Sequence, residues 1–114
     1  AAESDAGTFN GYQYLARRTQ NGRLNPCERW MHALHGLASE VGEIHALYQK
    51  TFQGHPLNAD SVVDELGDLL WFAAELADVL GVSLETVAAL NICKLRRRYP
   101  EGFDAEHSLH REEE

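Results

Sequence analysis

Residues 26–52 read PCERWMHALHGLASEVGEIHALYQKTF. Asn25-Pro26 opens this stretch as a helix start, with Pro in the first turn. At about 100° per residue, Leu37, Ile44 and Leu47 fall on one stripe, with Trp30 and Val41 at its edge. Glu40 falls inside that stripe, between Ile44 and Leu47, and Glu43 lies one step to its side. A carboxylate belongs on the opposite face of an amphipathic helix. Residues 59–80, ADSVVDELGDLLWFAAELADVL, repeat the oddity. Val62, Leu69, Phe72 and Leu76 define the stripe, Glu65 sits inside it, and Asp68 follows at i+3.

Outward from these two helices the chain is punctuated by caps and breakers. Thr8 caps a short helix from Phe9 to about Thr19, and Asn21-Gly22 ends it. Residues 53–58, with Gly54 and Pro56, form a loop. Gly81 ends the helix begun at Ala59, and Ser83 caps a fourth, from Leu84 to about Arg98. Tyr99-Pro100-Glu101-Gly102 stops that one. No alternating strand pattern, repeat or low-complexity stretch occurs. Long helices with short connections predict an all-α, antiparallel four-helix bundle-like fold. A single domain over residues 1–114 is expected, with residues 1–7 and 105–114 as flexible tails.

The chain has 114 residues, Lys+Arg 10 against Asp+Glu 18, and a formal net charge of -8. This acidity argues against a nucleic-acid partner. The longest apolar run, Leu69–Ala74, is far short of the roughly 20 residues that span a bilayer, so no membrane partner is expected. The opening AAESDAG has neither an apolar core nor a basic stretch, so it does not read as a signal peptide. Cys27 and Cys93 fit no CxxC or zinc spacing and read as free core thiols of a cytoplasmic protein. So small an all-helical domain leaves apolar faces for self-association to cover.

Four carboxylates converging in a bundle repel one another. Either some are protonated, or cations sit between them. Oxygen-only ligands favour a hard ion, Mg²⁺ or Mn²⁺. The di-iron alternative needs Glu-x-x-His, and no Glu here has a His three residues later. On the fourth helix Leu84, Val87 and Leu95 face inward, and Asn91 lies within their stripe. Lys94 and Arg98 follow on the same side, a set suited to phosphate oxygens. Arg96 and Arg97 point elsewhere and complement the helix dipole. Lys50, at i+7 from Glu43, adds another cation. Trp30, His32 and His35 are candidates for a base pocket.

At these residues the sequence resembles the MazG-type nucleotide pyrophosphohydrolases. Their ExxE, spacer and ExxD appear as Glu40-x-x-Glu43 and Glu65-x-x-Asp68. NICKLRRRYPEGF, residues 91–103, is similar to the family ending N-x-x-K-L-x-x-R-Y-P-x-G-F. The resemblance covers roughly residues 28–103. It implies an all-α homodimer or homotetramer that cleaves a nucleoside triphosphate, (d)NTP, to (d)NMP and pyrophosphate with Mg²⁺. By motif position Glu40, Glu43, Glu65 and Asp68 hold metal, and Asn91, Lys94, Arg98 and Tyr99 contact phosphates. Some relatives carry an extra Glu just before the first motif Glu, proposed to activate water. Ser39 stands at that position here, which leaves Glu40, Glu43 or a metal-bound hydroxide as the base. House-cleaning of the nucleotide pool is the role the family suggests. Two alternatives are a phosphoribosyl-ATP pyrophosphohydrolase-like enzyme and a non-catalytic helical interaction module.

Overall fold

The computed structural model describes residues 5–110. Five helices follow one another: α1 (Phe9–Arg17), α2 (Pro26–Gln49), α3 (Ala59–Leu80), α4 (Leu84–Arg98) and α5 (Ala105–Leu109). A 3₁₀ turn, Lys50–Gln53, extends α2. No strand forms among the described residues. The all-α expectation therefore holds, and the boundaries follow the caps. Thr8 accepts from the Gly11 N–H, Asn58 from Asp60 and Ser83 from Thr86. Asn25 and Glu28 form a reciprocal capping box at the start of α2. Gly81 ends α3 in the left-handed region at φ 73, where a side chain would be strained. Residues 105–109, read from the sequence as tail, are helical, with Asp104 as cap. Residues 1–4 and 111–114 of the expected tails lie outside the described residues.

The antiparallel seam between α2 and α3 is the main packing surface. Small residues let the helices close: Ala33, Ala74 and Ala77 are buried, as is Gly36. A Cβ at Gly36 would stand 2.2 Å from two carbons of the Phe72 ring. The ring thus packs directly on the α2 backbone, and a larger residue at 36 would have to displace it. The stripes read from sequence meet here, with Leu37, Ile44, Leu47, Val62, Leu69, Phe72 and Leu76 all half-buried.

A polar clasp holds α1 and α4 to the end of α3. Asp78 accepts from Gln13 Nε2 at 2.9 Å, Arg17 Nη2 at 2.7 Å and Gln20 Nε2 at 2.7 Å. The buried Gln13 also accepts from the Leu84 N–H at 2.8 Å, an amide of α4's first turn with no partner in its own helix. Its Nε2 donates to the Val82 carbonyl at 3.1 Å. The corner is sharp: α4 leaves α3 at 97°. This corrects the inward stripe expected for α4. Leu84 is buried, but Val87 and Leu95 are exposed, as are Leu90 at 66% and Phe103 at 80%. Cys27 and Cys93 are free as expected, but both are exposed rather than in the core. No single helix among the described residues is long and apolar enough to cross a membrane.

Burial alone would raise the Asp78 carboxyl, but hydrogen bonds from Arg17 and Gln20, the Arg17 charge and Gln13 together hold it below the usual range. A folded-state value below the unfolded one stabilises the fold above the unfolded value, near 4, and the contribution is lost as pH falls through the folded value. Denaturant unfolding should therefore show Asp78→Asn less stable than wild type at pH 7, with the gap closing below about pH 4. A gap independent of pH would refute the clasp as an ionic one.

Candidate functional site

The register of the seam brings the carboxylates together. Glu40, Glu65 and Asp68 each place one oxygen within 4.8 Å of the others. Glu40 and Glu65 are half-buried and Asp68 is exposed. Glu40 Oε2 is buried with no hydrogen-bond partner. The Glu65 carboxyl is held above its ordinary value, first by a hydrogen bond shared with Glu40, then by desolvation and by the charges of Glu40 and Asp64. Three acids lie close together, and one of them keeps a buried oxygen with no hydrogen-bond partner, a demand that a hard cation meets. Glu43 is exposed and outside this trio, one turn further along α2.

Two members of the trio, Glu40 and Asp68, line a cavity of about 380 Å³ together with Thr19, Trp71 and Phe72. Its acidic side is continuous with an aromatic wall. Trp71 is fixed by its indole N–H, which donates to Thr19 Oγ1 at 2.8 Å. Trp71 and Phe72 pack edge to face at 5.1 Å and 86°. Tyr12, on α1, faces this region; its hydroxyl is raised above its ordinary value by burial and then by the Asp68 charge. The base-pocket candidates Trp30, His32 and His35 are all exposed and none lines the cavity itself. Only His32 packs on the outside of this wall, 6.3 Å from Trp71 and 5.5 Å from Phe72 between ring centroids.

The cationic residues stand apart from the trio within one chain. Asn91 and Lys94 line a different concavity on α4, together with Val87, Leu90, Cys93 and Arg97. Arg97, expected to point elsewhere, thus joins them. Arg98 and Tyr99 are half-buried at the end of α4, and Tyr99 stacks with Phe103 at 5.5 Å. Lys50 is exposed in the 3₁₀ turn. A larger concavity of about 630 Å³ lies by Arg17, Gln20, Arg29 and Asp78. Arg17 is ion-paired with Asp78, and Arg29 donates to the Gln20 side-chain amide oxygen.

Sequence reasoning passed over Thr19, Trp71 and Glu75. Trp71 lies at i+3 and Glu75 at i+7 from Asp68, so helical spacing was the available signal for both. Glu75 is fully buried, with Oε1 accepting from His32 Nδ1 at 2.6 Å and Oε2 without a partner. An unpaired buried oxygen of this kind costs on the order of 1–3 kcal/mol or more.

Residues 31–103 match the MazG nucleotide pyrophosphohydrolase domain family. The chain is also similar to the gene 37 protein of Mycobacterium phage L5, 38% identical over 72 residues. That match covers 59% of this chain and 63% of the phage protein, so the chain spans under two thirds of that relative's length. No solved structure gives a significant match.

A divalent ion held by the trio should stabilise the folded chain. With Mg²⁺ at about 100 times its dissociation constant, the gain is about 2.7 kcal/mol. A thermal melt should shift upward with Mg²⁺ or Mn²⁺ in wild type and stay in place in Glu65→Gln. Equal shifts in both proteins would remove the trio as the ion's ligands.

Proposed function

Because the chain belongs to the MazG nucleotide pyrophosphohydrolase family, we propose that it hydrolyses (d)NTP to (d)NMP and pyrophosphate with Mg²⁺, or Mn²⁺, as cofactor. The observation that carries this reading is the convergence of Glu40, Glu65 and Asp68 inside the matched segment, with one buried oxygen left unpaired. These residues fit a hard ion by donor type and spacing. Glu43 is the fourth ligand by motif position. When bound, the ion supplies charge neutralisation on the phosphates and a lowered pKa for an attacking water. In the net reaction, water adds across the α–β anhydride and pyrophosphate departs. With Ser39 where some relatives carry Glu, Glu43 or Glu40 takes the water's proton. Thr19, Trp71 and Phe72 bound the space for the nucleoside.

Asn91, Lys94, Arg98 and Tyr99, with Lys50, bind the phosphates in this reading. Their separation from the trio within one chain favours a homodimer or homotetramer, in which α4 of one copy meets the trio of another. The shape of the single chain supports this. Its accessible surface is 8397 Å², against about 6,300 Å² for a compact monomer of this length. Its radius of gyration is 17.3 Å, against about 13 Å. The excess, about 2,100 Å² per chain and so about 4,200 Å² for a pair, lies in the range that obligate homodimer interfaces bury. Exposed Val87, Leu90, Ile92 and Leu95 on α4, and Val63 and Leu66 on α3, are the residues to cover. A cytoplasmic place beside the nucleotide pool, in a house-cleaning role, completes the proposal.

Incubation with a (d)NTP panel and phosphoribosyl-ATP, with Mg²⁺ or chelator, tests the reaction. Monophosphate and pyrophosphate should form only with metal, and Glu40→Gln or Glu65→Gln should lower turnover by about 100-fold or more while the far-UV spectrum is kept. Release of inorganic phosphate, or full activity in both variants, would overturn the proposal. Turnover of phosphoribosyl-ATP alone would move the substrate to the related enzyme class.

Light scattering tests the assembly. A dimer or tetramer is expected at micromolar concentration, and mixing inactive Glu65→Gln with inactive Lys94→Ala should restore part of the activity in mixed oligomers. A monomer that turns over substrate would exclude the shared site.

A further inference from the structure

The α2–α3 seam carries a second polar contact, one that the metal reading does not use. Glu75 is fully buried at 0% exposure, and its Oε1 accepts from His32 Nδ1 at 2.6 Å. An apolar side chain would fill the same space and leave no oxygen unpaired. What the carboxylate adds is a fixed partner for one ring nitrogen. That fixes the tautomer and the direction of the imidazole.

The imidazole itself is not core. The His32 side chain is 45% exposed, and its Nε2 has no hydrogen bond among the described residues. The ring packs against Trp71 and Phe72, which line the cavity that also holds Glu40 and Asp68. His32 precedes Glu40 by eight residues on one helix, about 12 Å along its axis. The reach of a nucleotide from its α-phosphate, across the sugar, to the polar edge of the base is of that order. A nucleotide with its phosphates at the trio and its rings along the Trp71–Phe72 wall brings that edge to His32.

We infer that His32 is a specificity-determining residue that hydrogen-bonds the polar edge of the nucleoside, base edge or sugar hydroxyl, and that Glu75 is the positioning residue that aims it. The inference rests on the nucleotide reading of the trio. It goes beyond that reading by assigning selectivity to an exposed imidazole held by a buried carboxylate, neither of which is among the phosphate-binding residues. The contact is lost when the ring has no nitrogen, His32→Phe, or when its partner cannot accept, Glu75→Leu. It is kept when an amide oxygen still accepts, Glu75→Gln.

Steady-state kinetics on the four bases, each in ribo and deoxy form, test it with Mg²⁺ present. His32→Phe and Glu75→Leu should lower kcat/KM for the favoured nucleotide by about tenfold, through KM and with kcat nearly unchanged, and flatten the ranking. Glu75→Gln should retain the ranking. A shift in base ranking assigns the contact to the base, and a shift in the ribo-to-deoxy ratio assigns it to the sugar. An unchanged ranking in both disruptive variants, or an equal fall in kcat for every nucleotide, would overturn the inference. Imidazole ¹⁵N spectra of wild type with the nucleoside monophosphates and Mg²⁺ separate it from the reaction itself. A moving His32 Nε2 resonance without turnover of any triphosphate leaves the recognition standing and removes the hydrolase. Turnover with a static Nε2 resonance removes the recognition alone.

Discussion

The close approach of α2 to α3 at Gly36 is the constraint on which the rest of the molecule depends. The Phe72 ring occupies the place where a Cβ on residue 36 would stand. Once that contact is made, the antiparallel register has no freedom. Residues one turn away pair in fixed order: Glu40 with Glu65 and Asp68 on one side, His32 with Glu75 on the other. Alanines at 33, 74 and 77 keep the separation small along the same line. A wide seam would let each carboxylate swing to solvent. A narrow one forces them to share a site, and the shared site is where charge must be answered by a cation or a proton.

The second consequence is that one copy of the chain is all seam and little core. Apart from Leu84, the buried apolar residues named above are alanines. Alanine burial contributes little hydrophobic stabilisation per residue, because little area is removed from water. The larger apolar side chains sit on faces that nothing in the single chain covers, above all on α4. The Gln13–Asp78 clasp holds α4 at a right angle to α3, so the angle is built rather than accidental. An arm held rigidly away from its own helix pair, with apolar and cationic residues along it, suits insertion against another surface.

What could be read from the sequence divides along local and long-range lines. Caps at Thr8, Asn25, Asn58 and Ser83 are local chemistry, and they place the four main helices within a few residues. Glu40 and Glu65 inside apolar stripes are also local signals, since a helical wheel needs only the helix. The wheel failed for α4 because it assumes a neighbour on the apolar side. That side is set by a glutamine on α1, 71 residues away from the amide it holds. Nothing in the spacing of α4 carries that information. Glu75 was passed over for a different reason. It sits in the apolar run WFAAELADVL, and its partner His32 lies on another helix. Glu43 has the motif spacing but stays exposed, because three residues at about 100° each turn it about 60° off the stripe that Ile44 and Leu47 continue into the seam.

Two groups of carboxylates on one seam have received opposite solutions. Glu75 is sealed from water and answered from within on one oxygen, Oε1, by the Nδ1–H of His32, while its Oε2 has no partner. The trio is left ajar: Asp68 is exposed, Glu40 and Glu65 are half-buried, and no basic side chain forms an ion pair with them among the described residues. An internal cation would have neutralised the trio at the expense of any exchangeable one. A fully exposed trio would have bound an ion weakly, since water competes well for carboxylates that keep their hydration. Partial burial without a partner is the intermediate that keeps affinity and access together. The difference between the two groups follows from position along the same pair of helices. Towards the start of α2 the fully buried Glu75 carboxylate meets the His32 ring, which packs on Trp71 and Phe72, and beyond Gly36 the exposed Asp68 brings the trio to the surface. The enclosed end supports a fixed hydrogen bond, and the open end supports an ion that comes and goes.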